Sequence, residues 1–212
     1  MILLANRFRF QPKFYLCIFA FFLGFSGTVS LNATTQELER REARVQATYL
    51  THLINFTRWS HRHLPAQRKA PKILVIGTEK NGFIASVKYL ISQTDIEIGG
   101  VTAKFIHFNN PADSNVRAEL KKGIQVVFLM PNANIDVATV RDLSPSAVIF
   151  GFGRNFVTKE GGDGSFVSSR NRVKLVLGEI YFRRTSPKLS SKIANLKSVV
   201  EIIREPRGSS SL

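Results

Sequence analysis

The sequence predicts an α/β domain, a three-layer sandwich with a mostly parallel sheet, an antiparallel C-terminal hairpin at the sheet edge and a C-terminal helix. Three observations predict it. Short, almost wholly apolar runs at Lys72–Gly77, Ile124–Met130 and Ala147–Gly151 look like strands buried on both faces. Segments of helical periodicity alternate with them, as a parallel sheet with covering helices requires. Beyond Gly161 the alternation gives way to two short strands about Arg170-Asn171, the pattern of a hairpin.

The elements follow in order. Residues 35–58 are predicted helical, with Val45, Tyr49, Leu53 and Phe56 as an apolar stripe widened by Leu50 and Ile54. Glu37 and Arg41 add an i,i+4 pair on the outer face. A polar loop, His61–Pro71, leads to the Lys72–Gly77 strand. Asn81-Gly82 opens a helix carrying Ile84, Val87, Leu90 and Ile91, and a second strand covers Val101–Phe108. A short helix is predicted over Ser114–Lys122, the clearest central strand over Ile124–Met130, a helix over Asn134–Leu143 and a strand over Ala147–Gly151. The cluster Gly161-Gly162-Asp163-Gly164 is a turn before the strands Ser165–Ser169 and Arg172–Leu177. The last element is a helix from about Ser190, capped by Ser190 or Ser191, with Ile193, Leu196, Val200 and Ile203 on its apolar face. Pro206 stops it.

The N-terminus predicts export. Arg7, Arg9 and Lys13 precede an uncharged apolar run, Phe14–Phe25, and small and polar residues follow to Ala33. That layout is a cleavable secretory signal, and the run is short against the roughly 20 residues a membrane-spanning helix needs. Residues 1–33 are therefore assigned to a signal peptide, and 34–212 to a single domain. Cleavage removes Cys17, the one cysteine, so no disulfide is expected outside the cytoplasm. Without the leader's three basic residues the formal charge falls from +15 to +12. An exported chain seldom meets nucleic acid, so the charge points instead to anionic envelope surfaces, an acidic protein, or plain solubility.

No catalytic signature stands out. His61-x-His63 is the closest histidine pair, with His52 before it, but Arg62 separates the two and no acid lies close. There is no G-x-S-x-G elbow. Acidic pairs are sparse, and the close pair Asp95 and Glu97 sits in a surface turn. Gly151-Phe152-Gly153 follows a strand, yet the third glycine of a dinucleotide fingerprint is missing and no helix is expected to follow at once. No catalytic residue, metal or cofactor is assigned, and the chain is not expected to be an enzyme.

Several motifs in sequence carry a family resemblance. They are Gly161-Gly162, Phe166-Val167, Arg172-Val173-Lys174-Leu175, and Lys188-Leu189-Ser190-Ser191-Lys192-Ile193 with Leu196. The segment Ala43–Trp59 joins them as an opening helix that runs into a tryptophan. In their order and spacing they resemble the YfiR family over about residues 40–203. The resemblance implies a Rossmann-like α/β sandwich and a periplasmic regulator. Members resemble a protein that binds the periplasmic sensing domain of an inner-membrane diguanylate cyclase and holds it inactive, with effects on cyclic di-GMP and biofilm growth. Two features depart from the pattern. Val176 and Gly178 stand where the family has an acid and an asparagine, and the family's redox-sensing disulfides have no counterpart.

The expected partner is thus a membrane signalling protein, a diguanylate cyclase or histidine kinase, with self-association as a homodimer and peripheral contact with the anionic envelope as further cases. Gly161, Gly162, Lys188, Ser190, Ser191 and Lys192 are the candidate partner-binding residues. One alternative is a small-molecule sensor lined by the loops after Gly77, Met130 and Gly151, at the carboxyl ends of the parallel strands. The other is an adaptor held to anionic surfaces by charge.

Overall fold

Apolar residues alternate along each central strand, and the alternation feeds two separate cores. The computed structural model describes residues 35–65, 69–79, 81–110, 114–169 and 172–204. The predicted leader, the hairpin tip Arg170-Asn171 and Pro206 lie outside the described residues. The strands of the main sheet are β2 (Lys72–Ile76), β5 (Lys104–Phe108), β6 (Val126–Leu129), β7 (Val148–Phe152), β8 (Gly164–Ser169), β9 (Arg172–Gly178) and β11 (Val200–Ile203). Their spatial order is β5-β2-β6-β7-β8-β9-β11. The first five are parallel; β9 runs antiparallel to β8, and β11 runs parallel to β9.

Helices cover both faces. Ile73, Val75, Val126, Phe128, Val148 and Phe150 join Ala43, Ala47, Leu50 and Leu53 of α1 (Thr35–Asn55) and Phe83 and Val87 of α2 (Phe83–Thr94) in one core. Leu74, Ile76, Val127, Leu129 and Ile149 face the other way. They meet Val116 and Leu120 of α3 (Ser114–Lys121), Val137 and Val140 of α4 (Val137–Leu143), and Phe156 of α5 (Arg154–Thr158). A layer of helices, a sheet and a second layer of helices result, the architecture that the alternation predicts. Burying a side chain such as Val, Leu or Phe contributes roughly 1.5–3 kcal/mol, and the two cores together hold most of the large apolar side chains. An aromatic group anchors the first core: the Phe83 and Phe128 ring centroids are 4.6 Å apart, and Phe128 stacks on Phe166 at 5.8 Å.

The order of the five parallel strands reverses between β2 and β6, because the chain runs outward from β2 to β5 and then crosses back. At that reversal Thr78 N–H donates to Asn132 Oδ1 at 3.0 Å, and Asn132 donates in return to Thr78 Oγ1. Glu79 accepts from Phe83 N at 2.5 Å and Ile84 N at 2.8 Å. The carboxylate thus satisfies two of the orphan donors at the start of α2. Side chains of the chain itself occupy the position where a doubly wound sheet often holds a phosphate.

The structure differs from the sequence expectations in five places. First, the stripe on α1 is rotated: the buried line runs through Ala43, Ala47, Leu50, Leu53 and Ile54, while Phe56, past the end of the helix, is 40% exposed. Two alanines on that line let the helix lie close against its neighbours. Second, the expected Val101–Phe108 strand is split. Gly99 and Gly100, at φ +65° and +81°, fold β4 (Val101–Thr102) back onto β3 (Glu97–Ile98) before β5 begins. Third, α5 starts directly after Gly153, where no immediate helix was expected, and is five residues long. Fourth, α6 (Glu179–Arg183) follows β9 without an intervening loop.

The fifth correction concerns the C-terminus, where the expected long helix is absent. Lys188–Leu189 forms a strand, β10, paired with β1 (Thr57–Arg58). A 3₁₀ turn spans Ser191–Asn195, and Val200–Ile203 adds β11 beside β9. The run Val199-Val200-Glu201-Ile202-Ile203 is β-branched and helix-poor, and β9 offers it an unpaired ladder. The β8–β9 hairpin consequently lies one strand inside the sheet edge, with β11 outside it. Among the described residues, no helix is long and apolar enough to cross a membrane.

Candidate functional site

The double glycine sits at a cleft rather than at a simple surface turn. Gly161 adopts φ +79°, a conformation that favours glycine. Gly162 has an ordinary backbone but no room: a Cβ there would lie 2.2 Å from the Phe156 ring. Gly151 approaches the same ring from β7, where a Cβ would lie 2.5 Å away. The ring of α5 therefore packs between two glycines, and Gly162 N–H donates to the Phe156 carbonyl at 2.9 Å. This packing fixes the chain just before Asp163.

Asp163 is fully buried, with 0% of its surface exposed. Its backbone pairs with Ile149 and Gly178, which places the residue at the start of β8 between β7 and β9. Oδ2 accepts from Ile149 N at 2.7 Å. Oδ1 is shared by two guanidinium groups, that of Arg141 at 2.8 Å and that of Arg184. A buried carboxylate is tolerable only with such partners. Arg141 projects from α4, whose first turn is fixed by Asp136 accepting from Thr139 N at 2.7 Å. It also donates to the carbonyls of Ala147 at 3.0 Å and Gly161 at 3.4 Å. Arg184 follows α6 and lies 5.2 Å from the Tyr181 ring centroid.

Tyr181 ties this cluster to the opposite helix layer. Thr57 Oγ1 donates to the Leu53 carbonyl at 2.6 Å, so the Tyr181 hydroxyl, 2.5 Å away, donates to Thr57. Burial pushes the Tyr181 phenol well above its ordinary value. Burial also lowers the Arg141 guanidinium. It holds that of Arg184 down to about 10, with the neighbouring Arg141 charge as the second cause. The cations are close enough to disfavour each other, and one carboxylate serves both.

Over this cluster opens a cleft of about 550 Å³ between α4, α5, α6 and the end of β11. Gly161 and Gly162 line it, together with Val157, Ile180 and Ile203. Lys188, Ser190, Ser191 and Lys192 do not. They belong to the stretch that leaves α6 and crosses to α1, where Ser190 N–H donates to the Phe56 carbonyl at 3.0 Å. Leu189 and Ile193 are buried there as anchors, and Lys188, Ser191 and Lys192 are exposed. Ser190 caps the 3₁₀ turn, accepting from Lys192 N at 3.4 Å. The structure thus divides the six candidates into two places, a cleft pair and a surface run.

Sequence reasoning missed Asp163, Arg141 and Arg184. The one local signal for Asp163 is an acid inside a glycine cluster that opens a buried strand. Among the described residues no group of three or more His, Cys, Asp or Glu side chains is placed to hold a metal ion. No family model matches this chain, and no curated protein matches it.

Proposed function

We propose that this chain is a regulatory binding protein of the periplasm, exported by its N-terminal leader, that holds an inner-membrane signalling protein inactive. The partner class is a diguanylate cyclase first, with a histidine kinase as the second case. The regulator has no catalytic step of its own. It binds the inactive conformation of the sensing domain better than the active one, and that difference sets how far it shifts the population. A tenfold preference corresponds to about 1.4 kcal/mol of coupling.

One observation carries this reading beyond the family resemblance. The Lys188–Ser198 stretch presents Lys188, Ser191, Lys192, Leu196 and Lys197 to solvent, while Leu189 and Ile193 pin it to the core. Leu196 is 51% exposed, and Lys197, next to it in sequence, is exposed as well. A pinned segment with an apolar centre and a basic rim suits an acidic protein surface, because rim charges steer association and exclude like-charged partners.

The test is a triple substitution, Lys188→Glu, Lys192→Glu and Lys197→Glu. Exposed substitutions of this kind change stability by about 0.5 kcal/mol or less each, so the fold is expected to persist. Cyclic di-GMP and biofilm mass should rise in the variant strain and in a deletion strain alike. A deletion that leaves both unchanged, or a folded variant that represses like the parent, would overturn the proposal.

A further inference from the structure

The charges in the cleft do not balance. Arg141, Lys159, Arg184 and Arg204 line it against Asp163 and Glu179. Both oxygens of Asp163 are already engaged, and Glu179 pairs with Arg183 at 2.7 Å. Each guanidinium of the pair has more N–H donors than the described residues give it acceptors. Arg184 Nε is buried with no hydrogen-bond partner among the described residues, although the side chain as a whole stays 17% exposed. A buried donor without an acceptor costs about 1–3 kcal/mol, and two cations on one carboxylate oxygen leave a net positive charge in a partly dry site. Beside them Val157, Ile180 and Ile203 form an apolar wall.

We infer that this cleft binds a small molecule with an anionic head, a carboxylate or phosphate, carried on an apolar body. The head meets the Arg141 and Arg184 guanidiniums, which suit planar or multi-oxygen anions. The apolar body lies against Val157, Ile180 and Ile203. Gly161, where an added Cβ would meet open space, leaves its part of the cleft free of a side chain, so a ligand can approach backbone there. The volume falls within the range of ordinary small-molecule sites. This inference stands apart from the regulator reading: the cleft and the Lys188–Ser198 surface are different places, and either can fail alone.

The experiment titrates the purified protein with phenyl phosphate, phenylacetate and neutral phenylacetamide, followed by calorimetry and amide NMR. At least one anion should bind with a Kd below about 1 mM and shift the Gly161, Gly162 and Gly178 amides. Phenylacetamide should bind at least about tenfold more weakly, a difference of about 1.4 kcal/mol. Whichever anion binds tighter identifies the head group. Arg184→Lys, which loses the planar fork but keeps the charge on Asp163, should weaken binding about tenfold. Arg204→Glu, on a lining residue outside the Asp163 cluster, should weaken it several-fold, and it decides the matter should the first variant fail to fold. Equal binding of the neutral compound, or unshifted cleft amides at about 10 mM of both anions, would overturn the inference.

Discussion

Gly161 and Gly162 look alike in sequence, yet they are glycine for different reasons, and substitution separates them. At Gly161 an added Cβ meets open space, so alanine incurs only the cost of a positive φ, about 1 kcal/mol. At Gly162 the Cβ strikes the Phe156 ring, and overpacking of this kind costs about 1–3 kcal/mol. Denaturant unfolding should therefore rank Gly162→Ala below Gly161→Ala, and the reverse order would contradict this packing. Asp163 is a sharper case. Asp163→Asn leaves two partly buried guanidiniums facing a neutral amide, and removing one partner from a buried ion cluster costs about 3–5 kcal/mol. A loss under about 1 kcal/mol would show that solvent already screens the cluster. The turn at the glycines was legible in the sequence because φ > 0 has a residue signature. The burial of Asp163 was not, because it depends on arginines that arrive from α4 and from the end of α6.

Elements with a clean period were legible for the same physical reason that they fold. Strands β2, β6 and β7 are apolar on both faces because both faces are covered, and α2 repeats its apolar residues at helical steps. The C-terminal segment misled because Ile193, Leu196, Val200 and Ile203 fit a helical face. Two things decide against a helix: the β-branched run Val199–Ile203, which the sequence does contain, and the free edge of β9, which no local window contains. A test at this scale concerns the link between α3 and β2. Glu119 of α3 pairs with Lys72 at the start of β2 and with Lys122 at 2.9 Å. The Lys72 hydrogen bond, with help from Lys122, holds the Glu119 carboxyl below its ordinary 4.5. A carboxyl lowered in the folded state contributes stability above its unfolded value, and that contribution is lost as pH falls through the folded one. The parent should thus be more stable than Glu119→Gln at neutral pH. The two should converge as the pH drops below about 4.5. A difference that persists unchanged into acid would contradict the pairing.

At the scale of the whole molecule, the main sheet with helices on both faces carries the two surfaces proposed for function. One is a basic cleft over a buried aspartate, and the other is an exposed stretch between β10 and β11 with basic residues around Leu196. The formal charge of +15 spreads over much of the sequence, so charge alone would predict weak, salt-sensitive adhesion to any anionic surface. The regulator reading predicts selectivity instead. The most direct measurement is affinity capture of the tagged protein from detergent-solubilised membranes, at about 0.15 M and about 0.5 M salt. Mass spectrometry then identifies the retained proteins. The account predicts that a diguanylate cyclase or histidine kinase with a periplasmic sensing domain is retained at both salt concentrations, and that the Lys188→Glu, Lys192→Glu, Lys197→Glu variant loses it. Retention of no membrane signalling protein by the folded parent, or retention of only salt-labile anionic material, would contradict it.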